Sequence, residues 1–121
     1  MEKVIGNEGK NTGDLIFIFT DDETLRKINE EFLNHNYFTD VVTFDYATGS
    51  LLNGEIYIST DRVKENSVNY NVSFRNETLR VMIHGVLHLL GFDDKSDEER
   101  IRMRSKEEQW IDFFNRMYDE L

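Results

Sequence analysis

The sequence predicts an α+β fold, a single domain in which a small β-sheet is packed by about four to five helices. Three observations predict it. The runs Asp14 to Thr20, Val41 to Tyr46 and Glu55 to Ser59 are short and rich in aromatic and β-branched residues, as strands are. The segments around them carry apolar residues three and four apart, as amphipathic helices do. A chain of 121 residues, 39% of them apolar, is long enough for one core and too short for two.

Taken in chain order, residues 1–13 are rich in Gly, Asn and charge, with no regular period, and read as loop or frayed end. Asp-Leu-Ile-Phe-Ile-Phe-Thr20 is apolar enough for a buried strand. Asp21 or Asp22 then caps a helix whose apolar positions are Leu25, Ile28, Phe32 and Leu33, ending near Asn34-His-Asn. The second and third strands are joined by a turn-rich link containing Thr48-Gly-Ser and Asn53-Gly. Thr60 or Asp61 is the expected cap of a helix over Arg62 to Tyr70, and Ser73 of one running through Leu79, Met82, Ile83, Val86, Leu87 and Leu90 to Gly91. Ser96 opens a last helix, Glu98 to Tyr118. The sequence shows no internal repeat and no proline.

Composition removes several classes of function. No cysteine is present, so disulfides and thiolate ligands are excluded, and any metal must be held by imidazole and carboxylate. No apolar run approaches the roughly 20 residues of a membrane-spanning helix, and the start Met1-Glu-Lys-Val-Ile-Gly is unlike a signal peptide, which makes the cytoplasm the expected compartment. A net charge of -10 argues against a broad phosphate-binding surface, so any contact with RNA is expected to be local.

The chemistry is concentrated in one stretch. His84 and His88, four apart on a helix, lie on one face about a turn from each other and can address one ion. The helix must then stop and the chain fold back with a third ligand. Gly91-Phe-Asp-Asp supplies the break and two carboxylates, Asp93 and Asp94, the second of them six residues beyond His88. Three protein ligands leave a coordination position open, the mark of a catalytic site and not of a closed structural one. The donor set suits zinc, and also nickel, iron or manganese. Gly85 follows His84, where the zinc-peptidase pattern His-Glu-x-x-His has its general base, so peptide hydrolysis becomes the less favoured use of the site.

His84-Gly-Val-Leu-His-Leu-Leu-Gly-Phe-Asp-Asp94 resembles the signature of the YbeY family, single-domain metal-dependent endoribonucleases. Asn34-His-Asn-Tyr-Phe-Thr-Asp-Val-Val-Thr-Phe44 is similar to the family stretch in which an Asn and an aromatic lead into a strand. Gly54-Glu-Ile-Tyr-Ile-Ser59 is similar to its Gly-Asp-Ile strand, and Glu98 to Trp110 to its acidic final helix. The resemblance covers about residues 14 to 115. It implies a mixed sheet with a metzincin-like metal-binding helix, and one zinc ion, or another such as nickel, on His84, His88 and Asp94. It further implies single-strand-specific cleavage in 16S rRNA 3′-end processing, ribosome maturation and quality control, with the small ribosomal subunit or its proteins as partner.

The chain departs from the family pattern in three places. The family's usual third ligand is histidine, where this chain has Asp94, with Asp93 the alternative. Between Tyr37 and Thr39 many members carry a longer loop with an arginine that assists phosphate chemistry, and here Phe38 stands alone. Arg80, one turn before His84, is the candidate replacement, so His84 and Arg80 are the expected catalytic residues, with Arg62 and Arg75 as weaker cations. Members also usually have a further strand and helix before the first strand read here. The chain is then either a shorter variant or begins upstream of Met1, and an exposed sheet edge open to pairing is expected. His35 is read as a helix-end residue and Glu98, Glu99, Glu107 and Glu108 as a solvated face. Two other functions use the same residues, a hydrolase of peptides or amides and a ribosome-binding module with a mainly structural metal.

Overall fold

A computed structural model describes residues 1–35 and 39–119, with the side chains of Tyr118 and Asp119 left out of account. The elements are α1 (Glu2–Asn7), β1 (Asn11–Thr20), α2 (Asp22–Leu33), β2 (Val41–Asp45), β3 (Leu51–Ser59), α3 (Thr60–Asn69), α4 (Phe74–Leu89) and α5 (Asp97–Asp119). The α+β expectation holds, and the sheet is mixed. Its order is β1-β3-β2, with β1 parallel and β2 antiparallel to the central strand. The segment from Tyr37 to Thr39 that lacks the family arginine lies largely outside the described residues.

Alternation along β3 explains how the layers form. Leu52, Ile56 and Ile58 are buried, whereas Asn53, Glu55 and Tyr57 between them are only partly covered. The buried set meets α4, which supplies Val81, Ile83, Val86, Leu87 and Leu89 to one continuous core. The helix comes close because Gly85 faces the strand. A Cβ there would stand 2.8 Å from Ile56 Cγ2. On α2, Phe32 meets Phe44 edge-on at 5.7 Å, and Phe44 meets Tyr57 in the same way at 5.7 Å.

Four expectations are corrected. Residues 1–13 are not all loop, because Glu2–Asn7 is helical and β1 begins at Asn11. The turn-like letters around it concealed Val4 and Ile5, which are buried in the common core. Asn53-Gly54 is not part of the link. It lies within β3, where a Cβ on Gly54 would meet Leu89 and the Phe44 carbonyl, and the turn falls at Gly49 with φ +59°. Ser59, not Thr60 or Asp61, caps α3, its hydroxyl accepting from the Arg62 amide at 3.1 Å. Glu107, read as a solvated residue, is buried with 2% of its surface exposed.

Candidate metal centre

Local rules place the three candidate ligands. Ser73 caps α4 by accepting from the Asn76 amide at 3.0 Å. Eleven residues on, one face of the helix carries His84, and one turn later His88. Two bonds end the helix, Gly91 N–H to the His88 carbonyl and Phe92 N–H to the Leu87 carbonyl, both 3.0 Å, with Gly91 at φ +101°. This is the Schellman arrangement, and its left-handed residue is glycine because a side chain there is strained. The chain turns back, and Asp94 arrives opposite the imidazoles. A reciprocal cap starts α5 two residues later, with Glu99 N–H on Ser96 Oγ at 3.1 Å and Ser96 N–H on Glu99 Oε1 at 2.9 Å. Hydrogen bonds donated to its carboxyl by Ser96, that of the backbone amide foremost and that of the hydroxyl second, hold Glu99 below its ordinary range.

His84 Nε2, His88 Nε2 and Asp94 Oδ2 form a triangle with sides of 2.9, 3.3 and 3.4 Å. Ligand atoms about 2.0–2.1 Å from a tetrahedral ion stand about 3.3 Å from one another. The donor set therefore fits one divalent ion. Asp94 is brought to the imidazoles, whereas Asp93 is exposed and outside the group. The three side chains are partly exposed, at 17, 25 and 38%, so the centre opens to solvent on one side.

The ligand triangle is braced from behind. Glu107 Oε2 lies 2.6 Å from His84 Nδ1. A carboxylate can only accept there, so Nδ1 carries the proton and the Nε2 lone pair is left for the metal. Glu107 is in turn 3.4 Å from Arg80 Nη1. Arg80 also donates from Nε to Glu77 Oε1 at 2.9 Å, and from Nη2 to Glu77 at 2.6 Å and to Asp40 at 3.2 Å. Burial works against the guanidinium's charge, but the hydrogen bond and attraction of Glu77, then Glu107 and Asp40, outweigh it and push its pKa far up. Three carboxylates thus surround the Arg80 guanidinium.

Arg80 lies where the helix stripe put it, lining a cavity of about 160 Å³ with His84, Asp94, Arg100 and Arg104. Its donors, however, are engaged by the acids just named. Arg100 fastens the ligand loop, its Nη1 donating to the Lys95 carbonyl at 2.7 Å and to that of Asp94 at 3.4 Å. Neither Arg100 nor Arg104 was expected at the site from the sequence. The weaker candidates are held elsewhere, Arg62 by Asp22 and Glu65, and Arg75 by Asn115. His35 is exposed just past the end of α2, where its amide donates to the Asn29 carbonyl, and it is not in the ligand group.

Fold and site together define a class, a small α+β protein with a group able to hold a metal at the C-terminal part of one helix and the loop after it. A family profile described as Endoribonuclease YbeY matches residues 2–115. The chain is 50% identical to the endoribonuclease YbeY of Christiangramia forsetii over 95% of its own length and 80% of that protein's. It is 47% identical to the one from Flavobacterium johnsoniae, over 95% and 83% of the two lengths. Among solved structures, that of TM1509 from Thermotoga maritima superposes with a TM-score of 0.63 at 29% identity, covering 91% of this chain and 73% of the other. The chain belongs to the endoribonuclease YbeY family.

Proposed function

We propose that this family member is a metal-dependent endoribonuclease that cleaves single-stranded RNA, acting on the 16S rRNA precursor at its 3′ end in the cytoplasm, with the small ribosomal subunit or its proteins as partner. One ion, zinc or another divalent metal such as nickel, is held by His84, His88 and Asp94. The observation that carries this reading is the ligand triangle, sized for one ion and open on one side, with arginines lining the adjoining cavity. Among the described residues no helix is long and apolar enough to cross a membrane.

When bound, the ion supplies Lewis acidity at the phosphodiester. The chain's own residues do the rest. Glu107 holds the His84 ring with its proton on Nδ1, so that Nε2 points outward as a ligand. Arg80 is proposed as a catalytic residue through its positive charge, which faces the same cavity and lowers the cost of bringing a phosphate toward Asp94. Gly85 leaves position 85 without a general base and, packed on Ile56, without space for one. RNA suits such a site, because its 2′-hydroxyl is an internal nucleophile whereas a peptide has none.

The test compares the intact chain with His88→Ala. The expected result is about one metal per intact chain by mass spectrometry and cleavage of a labelled single-stranded RNA, with both lost in the variant. Cleavage by a metal-free variant would overturn the reading.

A further inference from the structure

The metal cavity has a neighbour. A second cavity, of about 180 Å³, is lined by Tyr70 and Val72 from the α3–α4 turn and by Ile111 from α5, and it shares Arg80, Arg104 and Glu107 with the first. The wall between the two is therefore two arginines and an ion-paired acid, and whatever occupies one cavity lies one side chain from the other. Arg104 is the cation of that wall with capacity to spare. It is 60% exposed, its Nε lies 3.9 Å from Glu107, and among the described residues its terminal nitrogens make no hydrogen bond.

The two cavities differ chemically. Beneath the second lie Glu77 and Glu107, and Glu108 stands at its rim. Its lining has two arginines against three acids, where the first cavity has three against two, so a phosphate is the less favoured occupant of the second and a neutral ring is not disfavoured. Tyr70, 59% exposed, offers an aromatic face, and Val72 and Ile111 offer apolar sides. Alternation of a cation for a phosphate with an aromatic face for a base is how single strands are held without sequence readout. We propose that Arg104 and the pocket of Tyr70, Val72 and Ile111 form a nucleotide subsite beside the metal centre. Arg104 takes a phosphate next to the one at the metal, and the base attached to it stacks in the pocket. The proposal rests on the RNA reading of the metal site. It also supplies a cation in place of the family's loop arginine, from a different element.

The experiment uses the full metal-loaded chain and a fluorescein-labelled, 2′-O-methyl single-stranded RNA, with binding read by anisotropy across a salt series. Arg104→Gln is expected to weaken binding and to reduce the slope of log affinity against log salt by about 0.7, the increment for one phosphate contact on a single strand. Tyr70→Ala is expected to weaken binding about 5- to 150-fold, the range for one stacked base. Strands with one base removed, walked through every position, should show one position at which the unmodified chain loses affinity and Tyr70→Ala loses nothing further. Melting temperatures show that both variants fold. An unchanged salt slope in Arg104→Gln overturns the proposal. So does a base-removal walk that costs the intact chain and Tyr70→Ala equally throughout, the result expected if the exposed Tyr70 docks a protein instead. A chain that binds as predicted but cleaves no RNA removes the enzymatic reading and leaves the subsite. One that cleaves without these binding effects does the reverse.

Discussion

The two sides of α4 are held by opposite means. One side packs Val81, Gly85, Val86 and Leu89 into the core with the sheet, through contacts that are numerous, non-directional and individually small. The other carries Glu77, Arg80, His84 and His88 in a stripe, and each of the first three depends on a charged partner at hydrogen-bond distance. An apolar face degrades gradually when atoms are removed. A face of buried charges fails when any one of them loses its partner, because desolvation is no longer offset.

That contrast can be broken most severely at Arg80. Arg80→Met leaves Glu77, 2% exposed, without its cation and takes one from Glu107, also 2% exposed, and a loss of about 3–5 kcal/mol in unfolding free energy is expected by urea denaturation. A loss under 1 kcal/mol would show that the stripe is not under electrostatic tension. Glu107→Gln probes the same stripe more gently. The amide oxygen can still accept from His84 Nδ1, so the fold should persist, while affinity for zinc in a chelator competition falls about 10- to 100-fold. The smallest effect is expected on the apolar side. Ile58→Val should cost about 0.5–1.5 kcal/mol and leave zinc affinity within twofold, which calorimetry and the same competition would measure. If Ile58→Val disturbed zinc binding as much as Glu107→Gln, the two sides would not be separable.

How much of this was readable beforehand differs between the same two sides. His84 and His88 could be paired from their spacing, and the helix stop at Gly91 brought in two carboxylates, between which the family resemblance favoured Asp94 over Asp93. Glu107 could not be picked out by charge, since α5 is acidic and basic all round. Its position was informative all the same. Met103, Glu107, Trp110 and Phe114 follow one another at four, three and four residues, so Glu107 occupies a core slot in an apolar stripe. A carboxylate in such a slot needs a buried partner, and the partners lie on another helix. Arg100 and Arg104 were missed for a related reason, because only the packing of α5 on α4 brings them to the site. Helix α1 was missed because six residues containing Gly6 and Asn7 have little intrinsic helical tendency, and Val4 and Ile5 hold it through burial.

Gly85 has a consequence that reaches around its helix. With no side chain at that position the α4 backbone rests on Ile56, and successive residues are set about 100° apart around the axis. Were the helix to turn by a single residue, His84 or Val86 would take the place of Gly85 and strike the strand. The glycine therefore acts as a keyway. The direction in which the imidazoles point is fixed from the adjoining face of the helix, by a residue that never meets metal or substrate.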